Sequence, residues 1–201
     1  GWNFPLNPWQ FRTKANTTIS SNGYITDQTI LSMQNPGSIA VSANAAGELA
    51  LTTVAATTQQ NFAVIQFIDP STIIPYWNAM LSSLVSAALT TTNGTLLNIK
   101  MKLISSTTLP SAADPIASWT ANEPVFTGQW TAINAINSPV RVVSSGTPSD
   151  FTFDGFQLPA ISASTMTLGV VFYTTSSLGA NDILRLKNIS LVANRFAIAS
   201  Q

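Results

Sequence analysis

Side chains able to do acid–base chemistry are few in this 201-residue chain, and none of them is a histidine or a cysteine. Zinc, haem and iron–sulfur sites, and Ser–His or Cys–His nucleophiles, therefore lack their usual side chains. The carboxylates are Asp27, Glu48, Asp69, Asp114, Glu123, Asp150, Asp154 and Asp182. Glycoside hydrolysis needs two carboxyl groups about 5–10 Å apart. Asp150 and Asp154 are the closest pair in sequence, yet on one strand they would stand about 13 Å apart, so they read as turn-forming aspartates flanking a strand. No Asp-x-Asp-x run gathers the oxygens that calcium requires. No catalytic, cofactor-binding or metal-ligating residue is assigned, and the chain reads as non-enzymatic.

What remains is recognition. Sugar faces stack on exposed aromatic rings, and Trp119, in a polar stretch with Asn122 and Glu123, is the best candidate for such a platform. Trp77 and Tyr76 suit anchors of a subunit contact. Trp2 and Trp9, within Gly1–Gln10, are expected to pin the N-terminal segment onto the domain or a neighbour. Trp130, close to Ile133, reads as a core residue. The Asn-x-Ser/Thr patterns at Asn16, Asn93 and Asn188 arise by chance in an Asn- and Thr-rich chain, so no glycosylation is inferred.

The elements that must position these residues are short strands. Period-two runs span Tyr24–Met33, Ile39–Val41, Leu49–Val54, Phe62–Ile68, Leu96–Ile104, Trp130–Ile133, Val140–Val143, Phe151–Gln157, Thr167–Thr175 and Ile183–Val192. In Leu96–Ile104, Leu97, Ile99, Met101 and Leu103 share one face while Lys100 and Lys102 take the other. Such runs, rich in Thr, Val, Ile and aromatics and bounded by Gly, Pro and Asn, predict an all-β antiparallel sandwich of jelly-roll type. One segment departs from that period. Ile73, Ile74, Trp77, Met80, Leu81, Leu84, Val85 and Ala88 recur at helical spacing and predict one inserted α-helix over about 72–89. Asp69, Ser71 or Thr72 would cap its start and Asn93–Gly94 would stop it. In the last strand Leu184 and Leu186 share a face that Ile189 and Leu191 miss, which predicts a bulge near Lys187–Asn188. Leu109–Pro124 is polar and Pro-punctuated and reads as a loop. Residues 1–201 are expected to form one domain with an extended N-terminal segment over about 1–15.

Charge narrows the function classes. Eight Lys plus Arg balance eight Asp plus Glu, and charged residues make up 8% of the chain, against about 25% in an ordinary soluble domain. Ser and Thr fill the gap with roughly a quarter of the residues. Without a basic run the chain is no nucleic-acid binder and has no electrostatic anchor to a membrane. Phe62–Leu89, the longest apolar stretch, is broken by Asp69, Pro70 and Pro75, unlike a spanning helix of roughly 20 uninterrupted residues. Gly1–Gln10 lacks the basic and apolar regions of a signal peptide. So little charge makes a poorly soluble free monomer, which points to life inside an assembly.

Several short stretches resemble one family. Asn3–Gln10 (NFPLNPWQ), Ile65–Asp69 (IQFID), Leu96–Leu103 (LLNIKMKL) before Gln129–Ile133 (QWTAI), and Thr167–Tyr173 (TLGVVFY) followed by Asp182–Phe196 (DILRLKNISLVANRF) are similar to jelly-roll modules of tailed-phage virion proteins. These modules are related in shape to carbohydrate-binding modules. The closing strand departs from the family's usual Gln-Leu-Glu before Gly, having Ser190, Leu191 and Val192 before Ala193–Asn194. The resemblance implies a non-enzymatic virion-surface protein, either a capsid decoration or another module acting through many-copy contacts. Its expected partners are itself, as a homotrimer or another symmetric oligomer, and other virion proteins. The alternative is a glycan-binding adhesin module of a tail fibre, whose partner is a host surface glycan. No cofactor is implied.

Overall fold

A computed structural model of the chain describes residues 17–19, 22–26, 29–35, 39–43, 48–54, 61–68, 80–91, 96–107, 115–133, 140–144, 146–157 and 167–194. The elements in chain order are β1 (Thr17–Ile19), β2 (Gly23–Thr26), β3 (Thr29–Met33), β4 (Ile39–Ala43), β5 (Leu49–Thr53), β6 (Phe62–Ile68), β7 (Met80–Thr90) and β8 (Leu97–Ser106). They continue as β9 (Ile116–Thr120), β10 (Glu123–Phe126), β11 (Trp130–Ala132), β12 (Arg141–Val143), β13 (Ser149–Gln157), β14 (Thr167–Thr174) and β15 (Ile183–Asn194). A six-stranded sheet runs β1-β4-β5-β15-β7-β13 and a seven-stranded sheet runs β11-β8-β14-β6-β3-β2, with β12 also paired to β8. Their strand pairs are all antiparallel. From β5 to β8, and again from β13 to β15, successive strands alternate between the sheets, the winding of a jelly roll.

Alternation of side chains builds the core between the sheets. Leu97, Ile99, Met101 and Leu103 of β8 and Leu168, Val170 and Phe172 of β14 face Leu49 and Leu51 of β5, Val85, Ala87 and Leu89 of β7, and Leu184 and Leu186 of β15. Phe153 and Phe172 meet edge-on with ring centres 5.8 Å apart. Each such large apolar side chain contributes about 1.5–3 kcal/mol on burial.

The all-β expectation holds, and the inserted helix does not. Over its C-terminal half the segment is β7, paired along most of its length with β15 and β13. Ser83, Val85, Ala87 and Leu89 alternate onto the buried face at a period of two. The apolar positions fit both periods, and pairing on two sides decides between them. Residues 72–79, the capping positions Asp69, Ser71 and Thr72, the stop at Asn93–Gly94, and the N-terminal segment 1–15 lie outside the described residues. Tyr24–Met33, expected as one strand, is the β2–β3 hairpin, turning between Thr26 and Thr29. Asp150 and Asp154 fall inside β13 rather than in flanking turns. The bulge in β15 is present: Lys187 pairs with Ser86 and Ser190 with Leu84, three residues against two. That extra residue brings Leu191 opposite Ser83.

The seven-stranded sheet also buries its other face. Ile30, Ala63, Ile65, Phe67, Ile104, Val171, Tyr173 and Trp130 form a second apolar cluster there, joined by Ile116 of β9. Trp130 is buried, as its sequence suggests, stacked on Phe67 with ring centres 5.5 Å apart. Between Phe67 and Ile104, in cross-strand register with both, stands Gly169. A Cβ there would come within 2.9 Å of Ile104 Cγ1, a side chain with no exposed surface. Gly169→Ala is therefore expected to destabilise the fold by about 1–3 kcal/mol in urea unfolding. The penalty should largely vanish when Ile104→Ala is added, as a double-mutant cycle would read.

Candidate functional site

The outer face of the seven-stranded sheet changes character along each row of side chains. Ile30, Ile65 and Val171 lie in register and end on Lys102, while Ala63 and Tyr173 lie in register and end on Lys100. The apolar side of these rows is covered by the β9–β10 hairpin, which takes up the C-terminal part of the stretch Leu109–Pro124 expected as a loop, residues 109–114 lying outside the described residues. Over that part the loop expectation failed because the hairpin turns at an unfavoured residue, Ala121. Ala121 (φ 49°) and Asn122 (φ 65°) form a two-residue connection with both centres left-handed, which favours Asn or Gly over Ala. A bulge follows. Val125 pairs with Ser118 and Phe126 with Ile116, one residue against two. Across it, Trp119 and Phe126 pack against the cluster that contains Ile116.

Polar groups hold the hairpin tip in place. Asn61, fully buried at the start of β6, donates through Nδ2 to Asn122 Oδ1 (2.7 Å) and to Gln34 Oε1 (2.8 Å). At the base of the tip, Lys100 Nζ donates to Glu123 Oε1 and Tyr173 OH donates to Glu123 Oε2, both at 2.6 Å. Lys102 Nζ approaches the same Oε2 at 3.3 Å. Its ammonium also lies 5.3 Å from the Tyr173 ring centre and 5.9 Å from that of Phe126, a cation–π arrangement. The side chains of Lys100, Lys102 and Glu123 keep 19%, 25% and 33% of their surface exposed, so the cluster opens to solvent.

Burial pulls the Glu123 carboxyl upward, but the hydrogen bonds from Lys100 and Tyr173, with the charge and hydrogen bond of Lys102, outweigh it and hold its pKa below the ordinary value. Burial, reinforced by the hydrogen bond and negative charge of Glu123, pushes the Tyr173 phenol well above its ordinary range, so it stays protonated. The cluster thus combines a fixed carboxylate, a neutral phenol and two ammonium groups, and the half-buried Trp119 is the cross-strand partner of Pro124, the residue after Glu123. Trp119 Nε1 is buried and has no hydrogen-bond partner among the described residues. The cluster holds one carboxylate, where glycoside hydrolysis uses two. No group of three or more metal-binding side chains occurs among the described residues.

Of the aromatic residues singled out in the sequence, Trp119 lies in this site, on β9. It is partly packed beneath the hairpin instead of standing free as a platform. Trp2, Trp9, Tyr76 and Trp77 lie outside the described residues. Lys100 and Lys102 were legible as the polar face of a strand, without a role. Tyr173 sits in an apolar run that carries no functional signal.

No protein-family model matches the sequence, and no curated protein matches it. Solved structures resemble it in shape. The carbohydrate-binding module TmCBM61 in complex with β-1,4-galactotriose is 9% identical with a TM-score of 0.49, covering 96% of this chain and 100% of its own. The C-terminal family 22 carbohydrate-binding module of Clostridium thermocellum Xyn10B is 10% identical with a TM-score of 0.42, covering 90% of this chain and 96% of its own. The enzymatically active domain of bacteriophage CBA120 tailspike protein 4 is 14% identical with a TM-score of 0.41, covering 96% of this chain but 21% of its own.

Because Glu123 is depressed in the fold, its contribution to stability is complete above the carboxylate's unfolded pKa of about 4.3 and is lost as pH falls through the folded value. Glu123→Gln should lower stability at neutral pH by about 1–2 kcal/mol. The difference from the parent should shrink steadily as urea unfolding is repeated down to about pH 3.

Proposed function

We propose that the chain is a non-catalytic glycan-binding module of adhesin type, with its site on the outer face of the seven-stranded sheet beside the β9–β10 hairpin. One observation carries the reading. A half-buried indole stands on the hairpin that also carries an ionised carboxylate fixed by two lysines and a tyrosine. Sugars ask for this pairing, an aromatic surface for the C–H face of the ring and oriented polar groups for its hydroxyls. Fixed groups bind with little loss of side-chain freedom. A single carboxylate supports retention of a saccharide without its hydrolysis.

Affinity electrophoresis through gels containing soluble polysaccharides tests this, with β-1,4-galactan among the first probes. Trp119→Ala should abolish retardation, and Trp119→Phe, which keeps a smaller aromatic ring, should weaken binding about three- to tenfold. Unchanged retardation of both variants, with intact near-ultraviolet circular dichroism, would reject the site.

A second reading, a phage virion-surface module working through contacts between copies, rests on a different observation. Leu96, Val140 and Val142 are exposed apolar residues, and Val142 pairs with Asn98 at the β8–β12 edge. Light scattering on the purified chain should then show a trimer or another symmetric oligomer that Val142→Lys disrupts, and an antibody against the chain should label its source particle. A monomer at millimolar concentration and an unlabelled particle would remove this reading.

A further inference from the structure

The hydrogen bonds around Glu123 are unevenly distributed. Its carboxylate takes its two short bonds from Lys100 on Oε1 and Tyr173 on Oε2, each at 2.6 Å. Lys102 shares Oε2 with Tyr173 and reaches it at 3.3 Å, the longest of the three contacts. Two ammonium groups therefore share one carboxylate, a local excess of one positive charge among the described residues of this cluster. The excess charge is held in place. The Lys102 ammonium sits over the faces of Tyr173 and Phe126, and a quarter of its side chain is open to solvent.

A donor inventory points the same way. An ammonium carries three N–H groups and accepts none. Lys102 makes one long contact, to an oxygen that Tyr173 already serves. Glu123 has both oxygens engaged. The site thus offers donors and positive charge, and its complement is an acceptor that is negatively charged.

We infer that the ligand of this surface is an anionic saccharide whose carboxylate or sulfate group is received by Lys102. This rests on the glycan-binding reading and adds the substrate class. Lys102 is the specificity-determining residue. Glu123 acts through it as a positioning residue, keeping the ammonium over the two rings while Lys100 and Tyr173 prevent the carboxylate from claiming it fully. A neutral sugar would partly desolvate the Lys102 charge while leaving it only the carboxylate it shares with Lys100, which disfavours it.

The test compares polygalacturonate, its fully methyl-esterified form, dextran sulfate and neutral galactan by isothermal titration with the full chain. Polygalacturonate or dextran sulfate should bind at least about tenfold more tightly than the esterified and neutral polymers. That margin should shrink as salt rises from about 0.05 to 0.5 M. Lys102→Gln should erase the margin, and Lys102→Arg, which keeps the charge, should preserve it within about threefold. Preference for one anionic polymer over the other identifies the anion as carboxylate or sulfate. Equal affinity for the charged and esterified polymers, or a margin untouched by Lys102→Gln, overturns the inference while leaving glycan binding intact. Failure to bind any of the four overturns both.

Discussion

Strand β14 has eight residues, Thr167 to Thr174, and every one is buried. An antiparallel sheet usually keeps one face wet. Here β14 and most of β6 are covered on both sides, by the opposing sheet on one and the β9–β10 hairpin on the other. The second covering creates a difficulty at Tyr173, whose ring is buried but whose hydroxyl needs a partner. Glu123 provides that partner, and a carboxylate at that depth in turn needs cations, which β8 supplies in alternation as Lys100 and Lys102. The polar cluster is the consequence of roofing a sheet that has a tyrosine in its outermost row.

The same cluster that fastens the hairpin is therefore the surface offered to a ligand. Its groups are held by packing and mutual hydrogen bonds before anything binds, so side-chain ordering has been completed on folding. Fastening and recognition are also coupled. Asn122, at the hairpin tip, is tied through Asn61 to the start of β6, while Phe62 N–H is bonded to Thr174 Oγ1 in the neighbouring β14. The strand that bears Tyr173 and the turn beside Glu123 are thus joined through one buried polar network, and neither moves independently of the other.

The two-layer architecture was legible because alternation is a local signal. β6 occupies the whole of its expected span, and the bulge in β15 could be placed from the phase of Leu184, Leu186, Ile189 and Leu191 alone. β7 was misread because its apolar residues satisfy two periods at once, and only its neighbours β13 and β15 distinguish them. The β9–β10 hairpin was hidden for another reason. Its turn uses Ala121 in a left-handed conformation that local propensity disfavours, and its strands are short, exposed and interrupted by Pro124. Of the site, Trp119 stood out by type. Tyr173 and Glu123 acquired meaning only from the pairing that brings β14 beneath β10.

A chain with no net charge has no long-range repulsion to keep its copies apart, so whatever prevents uncontrolled growth must act at short range. The sheet margins show how. β1, β11 and β12 are three residues long and β2 is four, too short to template another chain. The longer margin strand β13 is kinked where Phe153 and Phe156 pair with Ser83 and Leu81, three residues against two. Arg141, from the other sheet, donates through Nε to the Thr152 carbonyl on that strand (2.9 Å). Lateral strand-by-strand addition is thereby opposed at these margins. High local concentrations become tolerable for this chain, and any ordered lattice it enters is left to be built through faces and loops, where side chains specify the fit.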